Sequence, residues 1–215
     1  MRTDVTVVLD RSGSMQSTRD DAMQGFNALV EDQKRVAGQA WLSLVQFDDQ
    51  YQVDYTEKPM TDAPALTPAT YQPRGSTALL DAIGRTIDAI GRRLSARTEG
   101  DRPDKVVVVI ITDGQENAST TFSARQISEK IAHQRHVYKW EFIFVGSNQD
   151  AVMSAAQMNI ARYQALSYSS TRRGTHAAFS AVSQSLGTVR AGGAGTFTPS
   201  QRAEAVADDP DAPHK

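Results

Sequence analysis

The chain has 215 residues, of which 40% are hydrophobic and 22% charged, and 23 Lys and Arg against 25 Asp and Glu leave a formal net charge of −2. That balance suits one sizeable globular core plus a tail; it excludes both the basic stripe of a nucleic-acid binder and the single-sign charge of a disordered acidic chain. There is no cysteine, which excludes disulfides, thiolate catalysis, Cys-ligated zinc and iron–sulfur clusters. No apolar run approaches the roughly 18–20 residues that span a bilayer. Met1-Arg2-Thr3-Asp4 leads straight into Val5–Leu9 without the apolar region and small-residue cleavage site of a leader. The expectation is a cytoplasmic protein with neither nucleic acid nor membrane as partner.

In chain order, Val5–Leu9 is a short continuous apolar run, the pattern of a strand buried on both faces. Met23, Phe26, Leu29 and Val30 then recur at helical spacing after the polar stretch Ser17–Asp21. Trp41–Phe47 reads as a second strand and Tyr51–Tyr55 alternates like a half-exposed edge strand. The three residues Asp48-Asp49-Gln50 between them are short enough for an antiparallel hairpin. Asp54–Ser76, with Pro59, Pro64, Pro68 and Pro73, reads as a long surface loop. Leu80, Ile83, Ile87, Ile90 and Leu94 keep the strongest helical rhythm in the chain, and Val106–Ile111 is a second fully apolar strand. A helix carrying Ile127 and Ile131 follows Ser123 as N-cap, then a strand at Phe142–Val145, a short helix at Gln149–Asn159 and a last helix carrying Ala178, Val182, Leu186 and Val189. Strand–helix alternation of this kind predicts an α/β domain over residues 1–190, with a mostly parallel sheet. Residues 191–215, rich in Ala, Gly, Pro and Asp without periodicity, read as a disordered tail.

In open parallel α/β sheets ligands bind beyond the carboxyl ends of the strands. After the first strand comes Asp10-Arg11-Ser12-Gly13-Ser14, and after Val106–Ile111 comes Thr112-Asp113-Gly114; Thr77 precedes the best helix. Oxygen side chains at Asp10, Ser12 and Ser14 converge if the chain curves tightly as it leaves the strand, which Gly13 permits. Hydroxyls and carboxylates together make a plausible oxygen shell for a hard divalent cation. Each piece alone is ordinary turn or cap chemistry; their joint placement is not.

At these residues the sequence resembles the von Willebrand factor type A family, whose metal-ion-dependent adhesion site combines Asp-x-Ser-x-Ser after the first strand, a Thr before a helix, and an Asp from a Thr-Asp-Gly-like turn. Here these are Asp10, Ser12, Ser14, Thr77 and Asp113, with no departure, and the resemblance covers roughly residues 3–190. It implies a doubly wound, Rossmann-like three-layer sandwich whose central sheet is mostly parallel with one antiparallel edge strand. Ser12, Ser14 and Thr77 would face the metal directly or nearly so, and Asp10 and Asp113 partly through water. The implied ion is Mg²⁺, with Mn²⁺ or Ca²⁺ as substitutes. The implied function is a non-enzymatic, metal-dependent protein-interaction module in which the metal takes an acidic residue of a partner. The chain resembles the stand-alone intracellular bacterial members, whose partners include AAA-type ATPases and stress-response assemblies.

The alternative is a Mg-dependent hydrolase of a phosphorylated small molecule. A haloacid-dehalogenase arrangement needs a second Asp two residues beyond Asp10, where Ser12 stands. No Gly-x-Ser-x-Gly elbow surrounds Ser12 or Ser14, and no glycine-rich phosphate loop follows a strand. The four histidines, His133, His136, His176 and His214, read as solvated helix ends and tail. Arg11, Gln16, Arg74, Gln115, Glu116 and Asn117 are the polar residues expected at the rim of the site.

Overall fold

The computed structural model describes residues 1–147 and 151–207. Six strands form a single sheet in the order β3-β2-β1-β4-β5-β6. They are β1 (Arg2–Asp10), β2 (Gln39–Phe47), β3 (Tyr51–Pro59), β4 (Lys105–Thr112), β5 (Glu141–Gly146) and β6 (Ala165–Ser167). All neighbours run parallel except β2 and β3, so the antiparallel edge strand stands where the Asp48-Asp49-Gln50 hairpin places it.

Because side chains alternate across a strand, each central strand supplies both faces of the sheet. Val5, Val7, Leu9, Val107, Val109 and Ile111 pack on one face against α1 (Arg19–Arg35) and α5 (Arg172–Arg190). Val8, Val106, Val108 and Ile110 pack on the other against α2 (Leu79–Ser95), α3 (Ala124–Tyr138) and α4 (Ala151–Gln157). Two-faced burial is why these strands are continuous apolar runs and not alternating ones. The stripe of α2 is buried from Ile83 to Leu94, with Leu79 buried at its start and Leu80 turned partly outward. Ser123 caps α3 through a reciprocal pair with Gln126. The expected helix at Gln149–Asn159 is α4; residues 148–150 lie outside the described residues. Among the described residues no helix is long and apolar enough to cross a membrane.

Two boundaries differ from the sequence reading. The edge strand runs on to Pro59, so residues 54–59 belong to β3 and not to the proline-rich loop. Pro59 has no N–H to donate to the ladder, and it stands at the end of an edge strand, where a sheet tolerates proline. The loop beyond it is also not merely superficial, for Met60, Ala63, Leu66 and Tyr71 are buried.

The described part of the segment after residue 190 is ordered, a correction to the expected disordered tail. Phe197 is buried, its amide donates to the Tyr163 carbonyl at 3.0 Å, and the Arg202 guanidinium lies over its ring. A sixth helix, α6 (Pro199–Ala205), opens with a capping box between Thr198 and Gln201 and ends with buried Ala205, whose carbonyl accepts from the Ser169 amide at 2.9 Å. Composition misled here because one aromatic anchor and a well-formed cap outweigh the glycines around them. Phe197→Ala is expected to cost about 3–5 kcal/mol, the range for truncating a buried aromatic. Urea denaturation checks this, and a variant as stable as the parent would return the segment to a free tail.

Candidate metal centre

The sheet order reverses at β1: the chain steps to β2 on one side, then returns to place β4 on the other. This makes the crevice between the carboxyl ends of β1 and β4 the natural ligand position of the fold. Asp10 is the last residue of β1 and Thr112 the last of β4.

Asp10 is fully buried. Its Oδ1 accepts from the Ser12 amide at 2.6 Å and its Oδ2 from Thr112 Oγ1 at 2.5 Å, while its own carbonyl accepts from the buried Tyr71 hydroxyl at 2.7 Å. The Asx turn from Asp10 to Ser12 curls the chain back over the strand end, so the hydroxyls of Ser12 and Ser14 stand 3.0 Å apart. Ser14 Oγ donates to Asp113 Oδ1 at 2.5 Å, joining the first motif to the third.

Thr77 arrives from the long loop, and three sets of contacts hold it. Backbone bonds pair the loops, Gly13 N to Gly75 O at 3.1 Å and Arg74 N to Arg11 O at 2.8 Å. Gly75 makes this turn at a φ of +65°, in the left-handed region that favours glycine. Asn117 Oδ1 accepts from the Thr77 amide at 2.9 Å, and the Thr77 carbonyl accepts from the Asn117 and Ala118 amides at 3.1 and 3.2 Å. The Glu116 carboxylate accepts from the amides of Leu80, Ala118 and Ser119 at 2.9, 3.0 and 2.7 Å, placing negative charge at the start of α2. Asp81 ties down the next turn, accepting from Thr121 and Phe122 at 2.9 and 2.8 Å. Burial pushes Asp81 up, but these backbone donors outweigh it and hold the carboxyl below its usual range.

All five expected residues therefore meet in one place. Their geometry is clearest at Gly114: a β-carbon there would lie 2.7 Å from Thr77 Oγ1, 3.2 Å from Ser14 Oγ and 3.4 Å from Ser12 Oγ. Three hydroxyl oxygens from two segments thus face one small space that only the missing side chain keeps open. The donor set fits a hard divalent cation, which takes oxygen ligands at about 2.0–2.6 Å. Among the described residues no three His, Asp or Glu side chains gather into a metal-binding group, so neutral hydroxyls are essential to any cation site here.

The rim differs from its expected form. Gln16 and Gln115 are exposed, but Arg11 is buried with its Nε 3.0 Å from Asp48 Oδ2, and Glu116 and Asn117 are spent on Thr77 and α2. Sequence spacing marked Glu116 and Asn117 as neighbours of the site without showing that they brace it. Tyr71, which steadies Asp10 from inside the proline-rich loop, carries no sequence signal that separates it from an ordinary core aromatic.

Burial raises the Asp10 carboxyl, against the donors of Thr112 and Ser12. Asp113 is pushed up to about 6, by burial first and by the Asp10 charge as well. A raised carboxyl means that the folded state holds its proton more tightly than the unfolded chain, so this group's contribution to stability falls as pH rises through that interval. In metal-free protein, Asp113→Asn should match the parent in urea denaturation at pH about 4 and become the more stable of the two above about 6. Equal stability of the two across that range would contradict the assignment.

A family model for the von Willebrand factor type A domain matches residues 4–171. No curated protein matches the chain. Among solved structures, proximal thread matrix protein 1 from the mussel byssus, described with a zinc-occupied MIDAS motif, is 15% identical with a TM-score of 0.60, over 84% of this chain and 46% of that one. A von Willebrand factor type A protein from Catenulispora acidiphila is 13% identical with a TM-score of 0.56, over 87% of this chain and 43% of that one. The chain thus spans less than half the length of these proteins, and at such identities the likeness is one of fold. With the family model covering most of the sequence, the chain belongs to the von Willebrand factor type A domain family.

Proposed function

We infer that the chain is a divalent-metal-dependent protein-interaction module whose cation, held by Ser12, Ser14, Thr77, Asp10 and Asp113, takes an acidic side chain of a partner protein. The observation that carries this reading is the convergence of three hydroxyls on the space left by Gly114. Mg²⁺ is the ion proposed, with Mn²⁺ or Ca²⁺ as substitutes. When bound, the cation supplies an electrophilic position whose charge the neutral hydroxyls do not cancel, open to an anionic oxygen from outside.

The chain's own residues divide the work. Asp10 is sealed beneath the cradle and supplies charge from below, whereas Ser14 is exposed and marks the open side. Asn117 and Glu116 fix Thr77 before any ligand arrives, so little ordering remains to be done on binding. Of the described histidines, His133 and His136 lie in the last turns of α3 and His176 faces Asp21, so none of these three imidazoles stands at the cradle. As a cellular role we assign an intracellular adaptor, with an AAA-type ATPase or a stress-response assembly as the kind of partner.

Titration calorimetry on chelated protein is expected to show one site, with a Kd of about 10 µM to 1 mM for Mg²⁺ and tighter binding of Mn²⁺. Gly114→Ala should abolish that heat while the protein still folds cooperatively, since its β-carbon would lie 2.7 Å from Thr77 Oγ1 and displace that hydroxyl, at a backbone conformation open to any residue. Asn117→Ala should weaken binding by about tenfold by freeing Thr77. Undiminished binding in Gly114→Ala would refute the cradle, and turnover of a phosphate ester that depends on Asp10 would refute the non-enzymatic reading.

A further inference from the structure

A cavity of about 530 Å³ lies between the β2–β3 edge of the sheet and the loop that follows β3. Its size is within the range of small-molecule pockets, roughly 300–1,000 Å³. Leu44 and Leu66 give it apolar walls, and its polar groups are arranged by charge.

One end is positive. Arg11 is 5% exposed, and its Nε and Nη1 donate to Asp48 Oδ2 at 3.0 Å and Gln52 Oε1 at 2.7 Å. Its Nη2 is buried without a hydrogen-bond partner among the described residues, as is the hydroxyl of Tyr55, another residue of the cavity wall. Arg74 reaches the same Asp48 oxygen at 2.8 Å while its side chain remains 53% exposed. Two guanidiniums converge on one oxygen of Asp48, Asp49 acts on Arg74 from the turn beside it, and one Arg11 nitrogen is left without a hydrogen-bond partner among the described residues.

The other end is negative. Asp54 accepts from Gln52 Nε2 at 2.6 Å and from the Gln46 amide. The Gln52 amide therefore stands between Arg11 and Asp54, accepting from one and donating to the other. Two opposite charges that line one cavity are held apart by a neutral spacer instead of being paired. An anion alone meets Asp54, a cation alone meets the guanidiniums, and a neutral molecule answers neither. A molecule carrying both charges a short distance apart answers both.

We propose that this cavity binds a free α-amino acid with an aliphatic side chain. Its carboxylate lies toward Arg11 and Arg74, its ammonium toward Asp54 and its side chain along Leu44 and Leu66. None of these contacts uses an oxygen of the metal cradle, so binding is expected in EDTA and stands apart from the metal reading.

The test is calorimetric titration of the full chain in EDTA with L-leucine, with isocaproate, which lacks the ammonium, and with isoamylamine, which lacks the carboxylate. Leucine is expected to bind saturably with a Kd below about 10 mM, and each analogue at least about tenfold more weakly. Asp54→Asn should bring leucine down to the level of isocaproate, and Arg74→Gln should weaken leucine and isocaproate but not isoamylamine. Both variants are to be checked by thermal melting; if either fails to fold, the ligand series on the unaltered chain decides alone. No saturable heat from leucine, or equal affinity for all three ligands, would overturn the proposal.

Discussion

The structure turns on a carboxylate that has no cation beside it. Asp10 is wholly buried at the end of the central strand, where the cost of an uncompensated charge is several kcal/mol. Its position follows from sheet order, because β1 lies inside the sheet with apolar neighbours on both edges and helices on both faces. Donors from Ser12 and Thr112 offset part of the penalty, yet burial still prevails and the carboxyl stays above its ordinary range. Asp113, which feels both burial and the Asp10 charge, shares that strain. A divalent cation held there would relieve both at once, which is why the proposed metal site and the raised carboxyls are read together.

The remainder of the site gives that strain a specific outlet. The hydroxyls of Ser12, Ser14 and Thr77 bring oxygens without further charge, so a cation held there would stay attractive to an anion from outside. They come from two segments that are weakly structured by themselves, and the molecule stiffens them with parts that never touch the cradle. Tyr71 holds Asp10 from the loop side, while Asn117, Glu116 and Asp81 clamp Thr77 and the start of α2 to the turn after β4. Preorganisation of this kind is what lets a weak oxygen site act as a recognition point.

Much of this was legible in the sequence, for identifiable reasons. Val5–Leu9, Val106–Ile111 and Phe142–Val145 are fully apolar because both faces of the sheet are covered, and the α2 stripe is regular because one face of that helix is. That Asp10, Ser12, Ser14, Thr77 and Asp113 lie together was legible because the fold places strand ends at the crevice and the motif fills those ends with oxygen. What escaped was set by tertiary contact. Arg11 reads as a solvated rim residue until Asp48 and Gln52 draw it inward. The order of the chain up to residue 207 depends on Phe197 finding a place beside Tyr163, a contact that no local pattern announces. The role of Tyr71 depends on a loop conformation that spacing does not specify.

The central claim, that one cation site sits at the crevice between β1 and β4, is tested most directly by following the amide NMR spectrum as sub-stoichiometric Mn²⁺ is added. Paramagnetic broadening should appear first at Ser12, Gly13, Asp113 and Gly114 and be removed by excess Mg²⁺. Broadening that begins instead at exposed acidic stretches such as Glu99–Asp101 and Asp104, or that Mg²⁺ does not reverse, would contradict the account.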